Sequence, residues 1–600
     1  VNALLFVVLS LGRFFINNFI TMNDNLPHIR HSLAHLLAAA ILELYPGTKS
    51  TIGPAVDNGF YYDFDLVEPL SEKELPQIEQ KMREILKTWK GFEGKEVTEA
   101  EAREVFKENP YKLELISEIV EKGEKITIYT SGSFTDLCRG GHVEDIKDIK
   151  ADAFKLERIA GAYWRGDEKN KMLSRIYGLA FATKAELDEY LAMREEAEKR
   201  DHKKLGKELG LFVFSPLVGP GLPLWTPKGT IIRDLLNDYI WELRKTRGYQ
   251  RVTIPHITKK DLYETSGHWK KYADDLFKIQ TREGKTYVLK PMNCPHHTQI
   301  FDAAPKSYRD MPQRYAETTM VYRDEQSGEL SGLSRVLSIT QDDAHVFCRE
   351  NQIEQEVFTI WDIVDAFYGT FGFKDIKVRF SRHDPAQFEK YLGTKEVWEK
   401  SENALISLMK RRGIEWIDGL GESAFYGPKL DFIAKDAIGR VLQVATIQLD
   451  FNMPKNFGLT YTNEEGKKDD VVMIHCAIMG SIERFMATLI EHTAGNFPFW
   501  LSPTQVRILP IGEAHHAFAK KLETALKAAG IRADVDDSKE GLGKKVRAAK
   551  VEKLPYWLVI GDKELAAGKA NLEHREQGQL GQLSQEELVA RFVQEIADKK

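Results

Sequence analysis

Residues 322–345 read YRDEQSGELSGLSRVLSITQDDAH, and this stretch decides how the whole chain is read. Arg323 and Glu325 follow a strand-like run, Arg335 comes ten residues later, and a second strand-like run ends in Gln341-Asp342-Asp343-Ala344-His345. A guanidinium pairs with phosphate oxygens through two parallel hydrogen bonds. Arg323, Arg335 and the later Arg484, in Gly480-Ser481-Ile482-Glu483-Arg484-Phe485, therefore suit a triphosphate, although each taken singly could be a surface ion-pair partner. No Gly-x4-Gly-Lys-Ser/Thr loop occurs, which argues against P-loop nucleotide binding. His345 adds a second chemistry. With Cys294 in Lys-Pro-Met-Asn-Cys-Pro and His475 in Met-Ile-His it makes three N/S ligands. Such a set with an open fourth position suits a catalytic or substrate-binding zinc, but the three residues are far apart and their spacing alone is a weak signal.

A further constellation lies upstream. His31 and His35 stand four residues apart, on one face of an expected helix over 29–44, and Cys138 and His142 repeat the spacing. Two such pairs could hold a metal, could make a hydrolytic pocket in which imidazoles and a thiol position water, or could be scattered half-buried residues.

Six hundred residues imply three to five domains at about 100–200 residues each. The composition, 42% hydrophobic and 29% charged, is that of a globular protein. A net charge of -6 gives no global field for nucleic acid, so RNA would need local basic patches. Four cysteines are no disulfide framework and suggest a reducing compartment. Leu4–Ile20 is apolar but interrupted by Arg13, Asn17 and Asn18, and lacks a cleavage site. Residues 1–21 are expected to be translated upstream sequence, with the functional start near Met22; the alternative is an anchor. The pattern further predicts strands and turns over 53–64, mostly charged helix over 72–122, and a strand at 126–129. One long charged helix over 184–208 should connect two domains, and a mixed α/β region should fill 209–500. A final small α/β segment should carry strands 506–510, 533–536 and 556–560 and helices 515–529 and 542–552.

On these residues the chain resembles the class II aminoacyl-tRNA synthetases. Residues 230–255, 322–335 and 480–485 resemble the three class motifs, the first usually a dimer interface. Met292-Asn293-Cys294-Pro295, Thr340 to His345, Ala424 to Lys429 and Gln448-Leu449-Asp450 resemble the threonyl-tRNA synthetases specifically. His31 to His35, Asp136 to His142 and Gly161 to Asp167 resemble that family's editing domain. The resemblance implies a multidomain α/β and α+β protein. Its parts would be an extension outside the fold (1–27), an α+β editing domain (28–183), a linker helix (184–208), an antiparallel-sheet class II catalytic domain (209–502) and an α/β anticodon-binding domain (503–600). It leaves no room for the family's N-terminal TGS domain.

The implied reaction joins L-threonine to tRNA(Thr) at the expense of ATP, in a cytoplasmic homodimer without membrane contact. One zinc per subunit would sit on Cys294, His345 and His475, and Mg2+ would accompany ATP. Zinc can take the amino group and hydroxyl of threonine; valine offers no oxygen. Serine lacks only one methyl, worth about 1–3 kcal/mol, so a hydrolytic site is expected as well. His31, His35, Cys138 and His142 fit that role, working through positioned water without a metal. By the same resemblance Arg323 holds the α-phosphate, Arg335 the γ-phosphate, Glu325 the adenine amino group, and Arg484 stacks on adenine with Gln443 nearby. Gln341, Asp343, Tyr426, Gln448 and Ser481 form the threonine pocket, and His268 is the proton acceptor in transfer.

Three positions depart from the family. Ile339 stands where a phenylalanine stacks on adenine, His296 where a glycine is usual, and Glu573 where an arginine often reads the anticodon, with His574 or Arg575 as substitutes. An RNA-binding paralogue without activity would be expected to lose zinc ligands or motif arginines, and all stand here. A free-standing deacylase explains only residues 28–178, and a prolyl enzyme has no hydroxyl to coordinate.

Overall fold

The computed structural model describes residues 25–600. The expectations for residues 1–21 lie outside the described residues. The chain divides into two compact units, one ending at Glu196 and the other Ala197–Lys600.

The first unit starts with helix α1 (Leu26–Leu44), Pro27 in its first turn, which buries Leu33, Leu36, Leu37 and Ile41. Strands β1 (Lys49–Ser50) and β2 (Gly59–Asp65), helix α2 (Leu75–Leu86), strand β3 (Glu93–Val97) and helix α3 (Pro110–Glu121) follow. Then come β4 (Ile126–Ser131), β5 (Phe134–Leu137), β6 (Phe154–Tyr163) and β7 (Met172–Ala180). The main sheet runs β1-β2-β7-β6, and a second runs β3-β4-β5. The reading of 72–122 as mostly helix holds over α2, Glu99–Val105 and α3, and is corrected only at 93–97, where the chain forms strand β3. Its sequence, Glu-Gly-Lys-Glu-Val, is almost wholly exposed and has no apolar alternation to announce it.

The expected single helix over 184–208 is also corrected. It is two helices, α4 (Lys184–Arg200) and α5 (His202–Glu208), broken at Asp201. Asp201 leaves helical geometry and its carboxylate accepts from Lys203 N at 2.7 Å, capping α5.

The second unit is built on an eight-stranded sheet. Its elements are helix α6 (Pro227–Lys245), β8 (Gln250–Arg251), helix α7 (Cys294–Asp302), β9 (Gln313–Tyr322), β10 (Ser338–Cys348), helix α8 (Ile353–Thr370), β11 (Lys377–Arg382), β12 (Trp416–Leu420), β13 (Lys429–Lys435), β14 (Val441–Asp450), β15 (Val472–Ser481) and helix α9 (Ile482–His492). The strand order is β8-β9-β10-β15-β14-β13-β11-β12, antiparallel through the central five joins. Helices α6, α8 and α9 supply Ile232, Leu236, Val364, Phe367 and Phe485 to the core. A second sheet, β17-β16-β18-β19-β20, follows from β16 (Val506–Pro510), helix α10 (His516–Ala528), β17 (Ala533–Val535), helix α11 (Leu542–Val551), β18 (Tyr556–Ile560), β19 (Lys569–His574), β20 (Gly578–Ser584) and helix α12 (Gln585–Ala597). The alternation expected up to residue 560 is present. Among the described residues no helix is long and apolar enough to cross a membrane.

One irregularity positions everything in the central sheet. Gln341 pairs with Ser481 but Asp343 pairs with Ala477, so β10 and β15 shift register around Asp342. Three β15 N–H groups turn instead to the Asp342 carboxylate: Ile478 at 3.2 Å, Met479 at 3.1 Å and Gly480 at 2.7 Å. Arg244 of α6 donates to the Asp342 carbonyl at 2.9 Å and lies 3.3 Å from its carboxylate, and both side chains are buried. Asp342→Ala would leave three N–H groups without an acceptor and a buried guanidinium with only the backbone carbonyl and no counter-charge. The expected cost is about 3–5 kcal/mol, read as an early urea transition, with Asp342→Asn losing less. An Ala variant that unfolds with the parent would contradict this account.

Candidate functional site

Side chains alternate along a strand, so Gln341, Asp343 and His345 share one face of β10 while Asp342 and Ala344 point into the core. Cross-strand pairing then sets Tyr315, His345, His475, Gln448 and Lys429 in one row across β9, β10, β15, β14 and β13. Next to that row, Glu317, Asp343, Ala477, Thr446 and Asp431 form a second. A cleft of about 280 Å³ opens over these rows, lined by Arg323, Gln341, Asp343, His345, Tyr426, Gln448 and His475. Met292, Ala424 and Lys429, quoted above in the motifs without a role, line it too, and so do Tyr272, Ser423 and Thr446, which sequence reasoning missed.

Cys294, at the start of α7, comes up beside the two histidines. The ligand atoms of Cys294, His345 and His475 all lie within 4.8 Å of one another, and all three residues are buried. Each imidazole is anchored through its other nitrogen. His475 Nε2 meets Asp450 Oδ2 at 3.0 Å, and His345 Nδ1 meets His297 Nδ1 at 2.7 Å. Such outer partners orient metal-binding imidazoles. Burial pushes the Cys294 thiol well up and the His345 imidazole well down. Burial, with the neighbouring His296, lowers His297 to about 3. The His345 imidazole is thus in its ligand form, while the Cys294 thiol sits near Asp343 and Asp450 with nothing cationic enough to favour its thiolate. His296 is not part of the cluster; it packs edge-on to Tyr263, 6.1 Å between centroids.

Asp343 accepts from Asn293 Nδ2 at 3.0 Å, and burial raises its carboxyl to about 6. Tyr426 donates to Gln448 Oε1 at 2.5 Å. Arg323 reaches Met292 Sδ at 3.2 Å on the cleft wall. Arg335 and Glu325 are brought together: Arg335 donates to Glu325 at 2.8 Å and to Glu329 at 3.0 Å. Ser481 caps α9, accepting from Arg484 N at 3.2 Å, and Arg484 is exposed. Gln443 bonds Asp431 at 2.8 Å and Arg379 at 3.0 Å, outside the residues that line the cleft. His268 is buried behind Tyr272, with Nδ1 2.9 Å from Ser266 Oγ; burial, His475 and Arg323 lower it to about 3. It is neutral and can accept a proton only weakly. In the C-terminal sheet, Glu573 accepts from Trp557 at 2.7 Å. Arg575 donates to the carbonyls of Lys553, Asn496 and Phe497, so its guanidinium is already engaged.

The upstream residues also converge. Their ligand atoms lie within 4.8 Å of one another. Cys138 Sγ is 3.1 Å from His31 Nε2 and 3.4 Å from His142 Nε2, and His142 stacks on Phe92 at 4.1 Å. Gly140, at φ +94, leaves the loop room, since a Cβ there would stand 2.6 Å from the Tyr129 hydroxyl. Behind the cluster lies a buried set that sequence reasoning missed. Asp136 pairs with Lys112, accepts from Tyr62 at 2.5 Å and lies 3.2 Å from His35 Nδ1. Burial disfavours a charged His35, but Asp136 and Cys138 outweigh it and raise the imidazole to about 9. Burial likewise opposes the Cys138 thiolate, but His142, His31 and His35 outweigh it and lower the thiol to about 4. The result is a thiolate held by imidazoles. It should alkylate with iodoacetamide at pH 6, its rate falling only as pH drops through about 4, because the thiolate persists above its lowered pKa. Cys294, Cys348 and Cys476 are buried with raised thiols and should stay unmodified in the same mass spectrum. A Cys138 rate that rises only above pH 8 would refute the assignment.

Three family profiles match the chain. The tRNA synthetase class II core domain (G, H, P, S and T) covers residues 277–493, the anticodon binding domain 505–595, and the threonyl and alanyl tRNA synthetase second additional domain 126–177. The threonine--tRNA ligase of Porphyromonas gingivalis ATCC 33277 is 49% identical over 557 residues, 92% of this chain and 85% of its own length. That of Flavobacterium johnsoniae is 50% identical over 554 residues, with the same shares. Among solved structures, the RNA binding domain of threonyl-tRNA synthetase from Cryptosporidium parvum Iowa II aligns with a TM-score of 0.63 at 39% identity, covering 66% of this chain and 98% of that one. With the class II sheet, its cleft and the upstream cluster in place, the chain belongs to the threonine--tRNA ligase family.

Proposed function

We propose that the chain activates L-threonine with ATP, transfers it to tRNA(Thr), and hydrolyses mischarged Ser-tRNA(Thr) in its upstream unit. One observation carries the reading: His345 and His475, which line a cleft with Arg323, Gln341, Asp343, Tyr426 and Gln448, have the buried Cys294 thiol within 4.8 Å of their ligand nitrogens. The buried N/S donor set, with one nitrogen of each ligand imidazole engaged by Asp450 or His297, fits zinc. A zinc ion there supplies a Lewis-acid site that an amino group and a neighbouring hydroxyl can share. Asp343 accepts from the threonine hydroxyl, and Gln341, Tyr426, Gln448 and Ser481 complete the pocket. Arg323 aligns the α-phosphate for attack by the threonine carboxylate and neutralises charge that develops there. Arg335 takes the γ-phosphate, Glu325 and Gln443 address the nucleotide, Arg484 stacks on adenine, and Mg2+ accompanies ATP. His268, neutral and weakly basic as it stands, is the residue assigned to receive the proton from the tRNA terminal hydroxyl, a role that requires its basicity to rise when the tRNA end binds.

The domain assignment follows: editing over 28–183, a linker over 184–208, catalysis over 209–502 and anticodon binding over 503–600. We further assign a homodimer joined through the first class motif, working in the cytoplasm. In the upstream unit the Cys138 thiolate, His31, His35 and His142 position a water against the seryl ester, without a metal.

Threonine-dependent ATP–pyrophosphate exchange tests the synthetic site. Cys294→Ala should collapse a threonine-over-valine preference of about 10⁴ toward about 10². Exchange independent of threonine, or a preference untouched by the substitution, would overturn the reading. His31→Ala with His35→Ala should leave exchange unchanged while Ser-tRNA(Thr) accumulates. If no mischarged tRNA appears, the editing assignment fails.

A further inference from the structure

A third grouping of titratable side chains, Asp201, His202 and Glu491, lies outside both sites. It resembles a cation site, but its bonding leaves no ligand atom on the imidazole. Leu333 N, which can only donate, stands 3.0 Å from His202 Nε2. That nitrogen must therefore be the acceptor, and the ring proton is on Nδ1, which donates to Glu491 Oε1 at 2.6 Å. The same carboxylate accepts from His202 N at 3.2 Å, and its other oxygen pairs with Arg440 at 2.5 Å. The imidazole is neutral, buried and fixed in one tautomer.

What it holds is the return limb of the loop between β9 and β10. Ser331 and Arg335 bond to each other in both directions, at 3.1 and 3.2 Å, closing a tight turn. At its apex Leu333 is wholly buried and Gly332 takes φ +49. A Cβ on Gly332 would stand 2.3 Å from His202 Nε2, so glycine lets the turn close directly onto the ring. Arg335 leaves this turn two residues after the anchored amide and reaches across to Glu325 and Glu329 on the outgoing limb.

We propose that His202 is a positioning residue for nucleotide binding, fixing the 331–335 turn and through it the place of Arg335 against the ATP phosphates. The inference rests on the reading of Arg335 as a phosphate ligand. It couples the helix that follows Asp201 to the nucleotide loop, a role that none of the synthetase motifs assigns.

His202→Asn tests it. The shorter amide keeps a donor near the Nδ1 position for Glu491 but does not reach Leu333. In ATP–pyrophosphate exchange the KM for ATP should rise about three- to tenfold, the loss of one buried hydrogen bond, with kcat and the KM for threonine within about twofold. His202→Gln, whose amide oxygen extends to the Nε2 position, should recover most of the ATP KM. An unchanged ATP KM in His202→Asn, or ATP and threonine KM rising by the same factor, would overturn the proposal. So would failure of both variants to fold, since that marks the histidine as purely structural. Arg335→Ala is run in parallel. If it too leaves the ATP KM unchanged, the phosphate reading falls and the proposal with it; if it raises the KM while His202→Asn does not, only the positioning role falls.

Discussion

The catalytic sheet depends on one buried carboxylate. Asp342 takes the three β15 N–H groups that the register shift turns out of the ladder and meets Arg244 from α6. An isolated charge at full burial would be prohibitive; burial raises the Asp342 carboxyl, and Arg244 and the three N–H groups oppose that rise. Helix α6 and the end of β15 lie in the stretches that resemble the first and third class motifs, so this one side chain of β10 ties those two together. A slip of one residue in β10 would exchange its two faces and bury Gln341, Asp343 and His345 in the core. The active-site rows exist because Asp342 holds the bulge where it is.

The two histidine and cysteine sets show opposite electrostatics, and that contrast supports the proposed placement of the metal. At the upstream cluster the thiolate is already stabilised by three imidazoles, one of them held charged by Asp136. It has no need of a cation. Beside the cleft, Cys294 keeps its proton because burial and two carboxylates surround it with the wrong sign, while burial keeps the His345 imidazole neutral. A cation there would favour the thiolate that burial and the two carboxylates oppose. In the function proposed above, a metal held there would recognise an amino group beside a hydroxyl, and the separate thiolate cluster would handle the serine error that such recognition admits.

Much of this was legible in the sequence, for identifiable reasons. His31 and His35 could be paired because helical spacing forces them onto one face, and Arg323 could be placed because a strand visibly ends at Tyr322. Cys294, His345 and His475 could not be joined by spacing, since their meeting depends on cross-strand register, and only the family motifs brought them together. Asp342 looked like one more polar member of a site run; its neighbours face the cleft and it faces the core. Lys112 was hidden in a helix rich in charge, where a lysine ordinarily reads as a solvated face, yet it is buried against Asp136. Strand β3 carried no apolar alternation, and Asp201 broke a helix that the flanking residues would have continued. Arg575 read as a free cation near the anticodon surface, but three carbonyls hold it.

The central claim is that one of the two clusters needs a metal and the other does not. The direct measurement is zinc content by elemental analysis of the purified chain, alongside Cys294→Ala and Cys138→Ala variants. The account predicts one zinc per chain, lost with Cys294→Ala and retained with Cys138→Ala. Two zinc ions per chain, or a zinc that survives removal of Cys294 and leaves with Cys138, would contradict it.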